Sequence, residues 1–117
     1  MEQTREELLK ETFESAKEYS KTLHNGIGTF IEKFAASKYE EGINLLPAII
    51  DGLEWLLKAS VLTESLQKEK LEIESMNKIL NEINEALEHT DYILLSDIMQ
   101  YEIAEKIEMW RAANFSN

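Results

Sequence analysis

The sequence predicts an all-α protein, an antiparallel four-helix bundle with a long first helical hairpin, built as one domain over residues 1–117. Three observations predict it. Apolar residues recur at alternating spacings of three and four along most of the chain. No segment alternates apolar and polar with period two over a strand's length. One proline and four glycines interrupt 117 residues, and the 44% hydrophobic content is enough for a core despite 30% charged residues.

The first stripe is Leu9, Phe13, Ala16, Ser20, Leu23, Ile27, Phe30 and Phe34. It crosses Asn25-Gly26-Ile27-Gly28, nominally a turn, without losing phase. A break would reset the phase, so the spacing predicts one helix over about 4–36. Each interior glycine costs roughly 1 kcal/mol against alanine, so close approach by another helix is expected there. The second stripe, Tyr39, Ile43, Leu46, Ile50, Leu53 and Leu57, predicts a helix over about 38–66. It crosses Pro47, which removes a backbone bond and predicts a kink between Ile43 and Leu46. Residues 67–70 read as the turn, with Leu71 in the connection. Ile73, Met76, Leu80, Ile83 and Leu87 mark a third helix over about 72–89. Thr90 or Asp91 can cap a fourth over about 91–113. Asn114, Phe115, Ser116 and Asn117 read as a frayed tail. The first two helices are longer, so their ends should overhang the bundle.

Helices two and four carry more apolar surface than one core needs. Helix four combines Tyr92, Leu95, Met99, Ile103, Ile107 and Trp110 with Leu94, Ile98, Tyr101 and Met109, an arc of roughly 240°. On helix two, Trp55 lies almost opposite the main stripe, near Leu62. Two readings stand. Either these helices form the bundle centre and the tryptophans cover its rim, or Trp55, Leu62, Met99, Tyr101, Met109 and Trp110 form a surface for a protein partner or a homodimer. Glu102 is the one charge inside the apolar arc of helix four. It is expected to be mostly buried, with Lys106 four residues on as its partner and Tyr39 or Tyr101 as hydroxyl donors.

Composition excludes several functions. Zero cysteines exclude a disulfide scaffold, a thiolate zinc site and a cysteine nucleophile. A net charge of −11 argues against nucleic acid, whose phosphates need a positive field. The negative charge is −4 over residues 1–58 and −7 over residues 59–117. No apolar run approaches the roughly 20 residues of a membrane span. The acidic start Met1-Glu2-Gln3-Thr4-Arg5-Glu6-Glu7 is no signal peptide. A cytoplasmic protein without cofactor, nucleic acid or membrane partner is expected.

Tests for chemistry are mostly negative. A di-iron bundle needs Glu-x-x-His, but Lys21 precedes His24 by three and Ala86 precedes His89 by three. Glu85 and His89 have helical spacing at a helix end. Gly26-Ile27-Gly28 lacks the third glycine and the strand of a phosphate loop. The remaining enzymatic alternative is a Mg²⁺- or Mn²⁺-dependent all-α nucleotide hydrolase, with Glu82, Glu85 and Glu88 as carboxylates and Asp91, Asp97 or Glu102 facing them.

Two stretches carry a resemblance. One is Tyr39-Glu40-Glu41-Gly42-Ile43-Asn44-Leu45-Leu46, continuing at Ile50-Asp51-Gly52-Leu53-Glu54-Trp55-Leu56. The other is Ala86-Leu87-Glu88, Asp91-Tyr92, Leu95-Ser96-Asp97-Ile98 and Tyr101-Glu102. They resemble a group of small, uncharacterised helical proteins of Gram-positive, spore-forming bacteria, over most of residues 20–111. In size and build the chain is also similar to flagellar and secretion export chaperones. The resemblance implies a bacterial protein and no catalytic residues. A non-enzymatic helical interaction module, adaptor- or chaperone-like, is the leading expectation.

Overall fold

A computed structural model describes residues 4–115. It is an all-α four-helix bundle of 50 × 28 × 24 Å. Helix α1 runs over Arg5–Ala35 without interruption. Thr4 caps it, its hydroxyl accepting from the Glu7 amide at 3.1 Å. Glu6 and Glu7 complement the helix dipole in the first turn. Its predicted stripe is the buried one, from Ala16 to Phe34. At 1.5 Å per residue α1 spans about 46 Å, nearly the long axis of the molecule.

The predicted second helix is interrupted. Helix α2 covers Tyr39–Ile43 and α3 covers Leu46–Leu62, separated by Asn44 and Leu45 in right-handed conformation. The break falls at the expected kink. Pro47 thereby sits in the first turn of α3, where its missing N–H has no partner to lose. A short 3₁₀ turn over Glu64–Leu66 follows α3.

Helix α4 covers Ile73–Glu88. Its buried face is Met76, Ile79, Ile83 and Ala86, while Ile73, the first residue of the predicted stripe, is exposed. The predicted fourth helix is one run of three parts: α5 over Tyr92–Asp97, a π-helical segment over Ile98–Ala104, and α6 over Glu105–Phe115. Asp91 is the cap, accepting from the Leu94 amide at 3.1 Å. The π segment has a legible cause. Leu95, Met99, Ile103 and Ile107 repeat at four, four and four, and all are buried. In a regular α-helix each step of four drifts the stripe by about 40°. The wider π turns drift the opposite way, so over the α, π and α segments from Leu95 to Ile107 the two drifts offset and all four side chains stay on the core.

Both turns at the α2–α5 end use the same device. Ser37 and Thr90 adopt left-handed φ of 60° and 52°. Lys38 N then donates to Lys33 O, and Asp91 N to Ala86 O, each at 2.8 Å, closing α1 and α4.

The tail expectation is corrected. Asn114 and Phe115 are docked: Phe115 lies 4.8 Å from Phe13 and 5.3 Å from Trp110 between ring centroids. Ser116 and Asn117 lie outside the described residues. The last helical run thus reaches α1 at Phe13, while the first turns of α1, with Leu8 exposed, project beyond the buried stripe that begins at Ala16. The glycine expectation is also corrected. A Cβ at Gly26 or Gly28 would meet nothing within 4 Å. Close approach occurs instead at Gly42, where an added Cβ would lie 2.6 Å from the Phe34 ring, and at Gly52, where one would lie 2.5 Å from the Tyr19 hydroxyl.

Candidate functional site

The connection between α3 and α4, residues 67–72, forms a strap across one end of the bundle, where α1 begins and α3 and α6 end. It has no regular backbone bonding, so side chains must satisfy it. Gln67 supplies one clamp. Its Nε2 donates to Ser60 O at 2.7 Å and Thr63 Oγ1 at 3.1 Å. Its Oε1 accepts from Ser60 Oγ at 3.2 Å and from the Trp110 indole Nε1 at 3.0 Å. The amide is therefore saturated, with both donors and both acceptor directions used. Asn114 supplies the second clamp. Its Oδ1 accepts from Lys68 N at 2.8 Å and Glu69 N at 3.4 Å, while its Nδ2 donates to Glu69 O at 2.9 Å and Trp110 O at 2.8 Å. Leu71 turns inward from the strap and joins the core. Nearby, Arg111 Nε donates to the buried Ser20 Oγ at 2.9 Å, tying α6 to α1.

The strap stands between two grooves that share Lys70, Leu71 and Glu72. The larger, about 470 Å³, is lined by Leu71, Met76, Met109, Trp110, Ala112 and Ala113, with Lys106 and Glu69 at its edges. The smaller, about 190 Å³, lies toward Val61 and Ile73. Val61, Leu62, Leu66, Ile73 and Met109 are all exposed at this end, Leu62 at 65% and Met109 at 71%. Lys70 pairs with Glu64 beside the smaller groove.

The six sequence-predicted surface residues divide. Leu62, Tyr101 and Met109 are exposed. Trp55 is 39% exposed and packs edge-on against Tyr19 at 5.1 Å. Met99 and Trp110 are core residues, because the π segment turns Met99 inward and the Gln67 bond draws the Trp110 indole under the strap. Tyr101 lies on the π segment and Met109 on α6, but only Met109 reaches the groove. Sequence reasoning missed Gln67 and Asn114. A buried indole needs an acceptor, and that requirement was the signal for Gln67. Asn114 carried none, since its partners are strap backbone 45 and 46 residues away.

Glu102 is half-buried rather than mostly buried; Lys106 is among its charged neighbours, as expected, but its hydrogen-bond partner is Glu82 and not Tyr39 or Tyr101. Burial raises its pKa most; the charge of Glu82 and a hydrogen bond with it raise it further, while Lys106 and Lys78 oppose the shift. Lys106 is exposed, so no buried ion pair forms. The first half of the carboxylate set also disperses. Glu82 turns to Glu102, whereas Glu85 and Glu88 stay exposed. Among the described residues, no group of three or more His, Asp or Glu side chains is placed to hold a metal ion. His89 Nδ1 meets the Glu85 backbone carbonyl at 2.8 Å, not its carboxylate. His24 lies 4.0 Å from Glu108 at the surface.

A family model for a domain of unknown function (DUF8042) matches residues 11–113. The chain belongs to this family. The match takes in all four arms of the bundle and the strap. Neither a curated protein nor a solved structure matches the chain. No helix among the described residues is long and apolar enough to cross a membrane.

Proposed function

We propose that this DUF8042 protein is a non-enzymatic helical interaction module, adaptor- or chaperone-like in role and working in the bacterial cytoplasm. One observation carries the reading: apolar side chains cluster outward around the strap beside a groove of about 470 Å³. Exposed apolar patches on a soluble domain mark contact surfaces, because leaving them in water forgoes roughly 25 cal/mol per Å². The amide clamps support it. They hold the strap rigid, so the grooves are formed before a partner arrives and little ordering entropy is lost on contact.

Site-specific photo-crosslinking in the native host tests the reading. A crosslinker at Met109 is expected to give protein adducts that Ile73→Glu abolishes, while one at Ile93, at the far end, gives none. Adducts at neither position, or equally at both, would remove the reading.

A further inference from the structure

The reading above leaves the occupant of the strap face open. Resting on it, we infer that the face takes a second copy of this chain in a two-fold symmetric dimer. Charge supports this occupant. The chain carries −11, so a second copy is repelled at most approaches. The repulsion is uneven. Residues 36–54 and 82–102, which form or flank the α2–α5 end, carry one base and ten acids. Residues 58–74 and 105–111, around the strap, carry five bases and six acids, and residues 5–18 of α1, at the same end, add three bases and five acids. The strap end is thus the less acidic of the two, and its larger groove holds both signs close together, with Lys70 and Lys106 beside Glu69 and Glu72. A two-fold contact brings each surface onto its own copy, and a mixed-sign rim can then set Lys against Glu. A strongly basic partner would favour the acidic end instead.

Shape points the same way. An isologous contact needs a protrusion beside a matching depression on one surface. The strap is a ridge, with grooves of about 470 and 190 Å³ on its two flanks. The ridge of each copy can enter the larger groove of the other, covering Met109 and bringing Val61 and Ile73, at the smaller groove, against the partner. The exposed Ile93 and Leu94 lie at the acidic end, where the like charges of two copies would meet.

Sedimentation at physiological salt decides it. Wild type should be a dimer at tens of micromolar. Ile73→Glu and Met109→Glu, both at exposed positions that line the grooves, should each weaken it by at least about thirtyfold while leaving helicity unchanged. Ile93→Glu should leave the dimer intact. A wild type that stays monomeric overturns the inference, as does a dimer that Ile93→Glu weakens and the strap variants do not. A monomer that still forms Ile73-dependent adducts at Met109 would overturn the dimer alone, whereas absence of adducts defeats the wider reading.

Discussion

At the α2–α5 end the bundle is closed by rings: Phe34 stacks on Phe30 at 4.3 Å and meets Tyr39 and Tyr92 edge-on at 5.1 and 5.6 Å, and those two tyrosines stack at 4.9 Å. At the strap end Phe115 meets Phe13 and Trp110 at 4.8 and 5.3 Å, and two amides, Gln67 and Asn114, bind strap backbone and the Trp110 indole. Rings close an end by burying apolar area, although Ile93 and Leu94 stay exposed beside them. Amides close an end by satisfying polar groups, and around them Val61, Leu62, Leu66, Ile73 and Met109 face outward. The first end is closed by packing within a strongly acidic surface. The second keeps an ordered, apolar and less acidic face.

The largest test of this contrast is Phe34→Ala. It removes the ring shared by three of the four contacts at the α2–α5 end, and urea unfolding should show a loss of about 3–5 kcal/mol. The folded fraction should keep its strap-end properties. Gln67→Ala probes the other end. It leaves the Trp110 indole N–H and the Ser60 carbonyl without their partner, a cost of about 1–3 kcal/mol. It should also shift tryptophan emission, as the Trp110 indole loses its cover. If the Gln67 variant is as stable as wild type, the strap is not held by its amide.

These residues also show what was legible. The four arms, the unbroken α1 and the kink before Pro47 follow from apolar phase, a local property of the chain. The π segment was also legible in principle, from the four-four-four spacing of Leu95 to Ile107, but a fixed 100° wheel spreads that stripe into a broad arc and hides it. On that broad arc Met99 fits either the core or the surface reading. The Gln67 and Asn114 clamps were not legible, because each joins groups more than 40 residues apart whose meeting depends on how α6 ends. The glycines show the same limit: sequence marks Gly26 and Gly28 as costly, but only packing shows that Gly42 and Gly52 are the crowded ones.

Two smaller effects sharpen the account between the ends. Gly26 and Gly28 sit mid-helix in open space, so replacing either with alanine should stabilise by about 0.5–1 kcal/mol in thermal melts. Gly42→Ala should do the opposite, since its new methyl would press on the Phe34 ring. The smallest effect is at Glu102. Its carboxyl pKa is raised in the folded state, first by burial and then by Glu82. The folded protein therefore holds more protons than the unfolded chain between the ordinary carboxyl pKa and the raised one. Stability from this group falls as pH rises through that window. Glu102→Gln should flatten that dependence and raise stability at neutral pH by less than about 1 kcal/mol. A loss at neutral pH would mean that a cation depends on its charge.

The central claim is that the strap end is the face through which this protein makes contact, with its own copy as the occupant. Amide hydrogen exchange at low and high protein concentration tests it most directly, because it reads the surface without altering it. The account predicts that raising the concentration slows exchange in residues 61–73 and 105–113 and leaves residues 36–43 and 91–97 unchanged. Slowing confined to the α2–α5 end, or exchange independent of concentration everywhere, would contradict it.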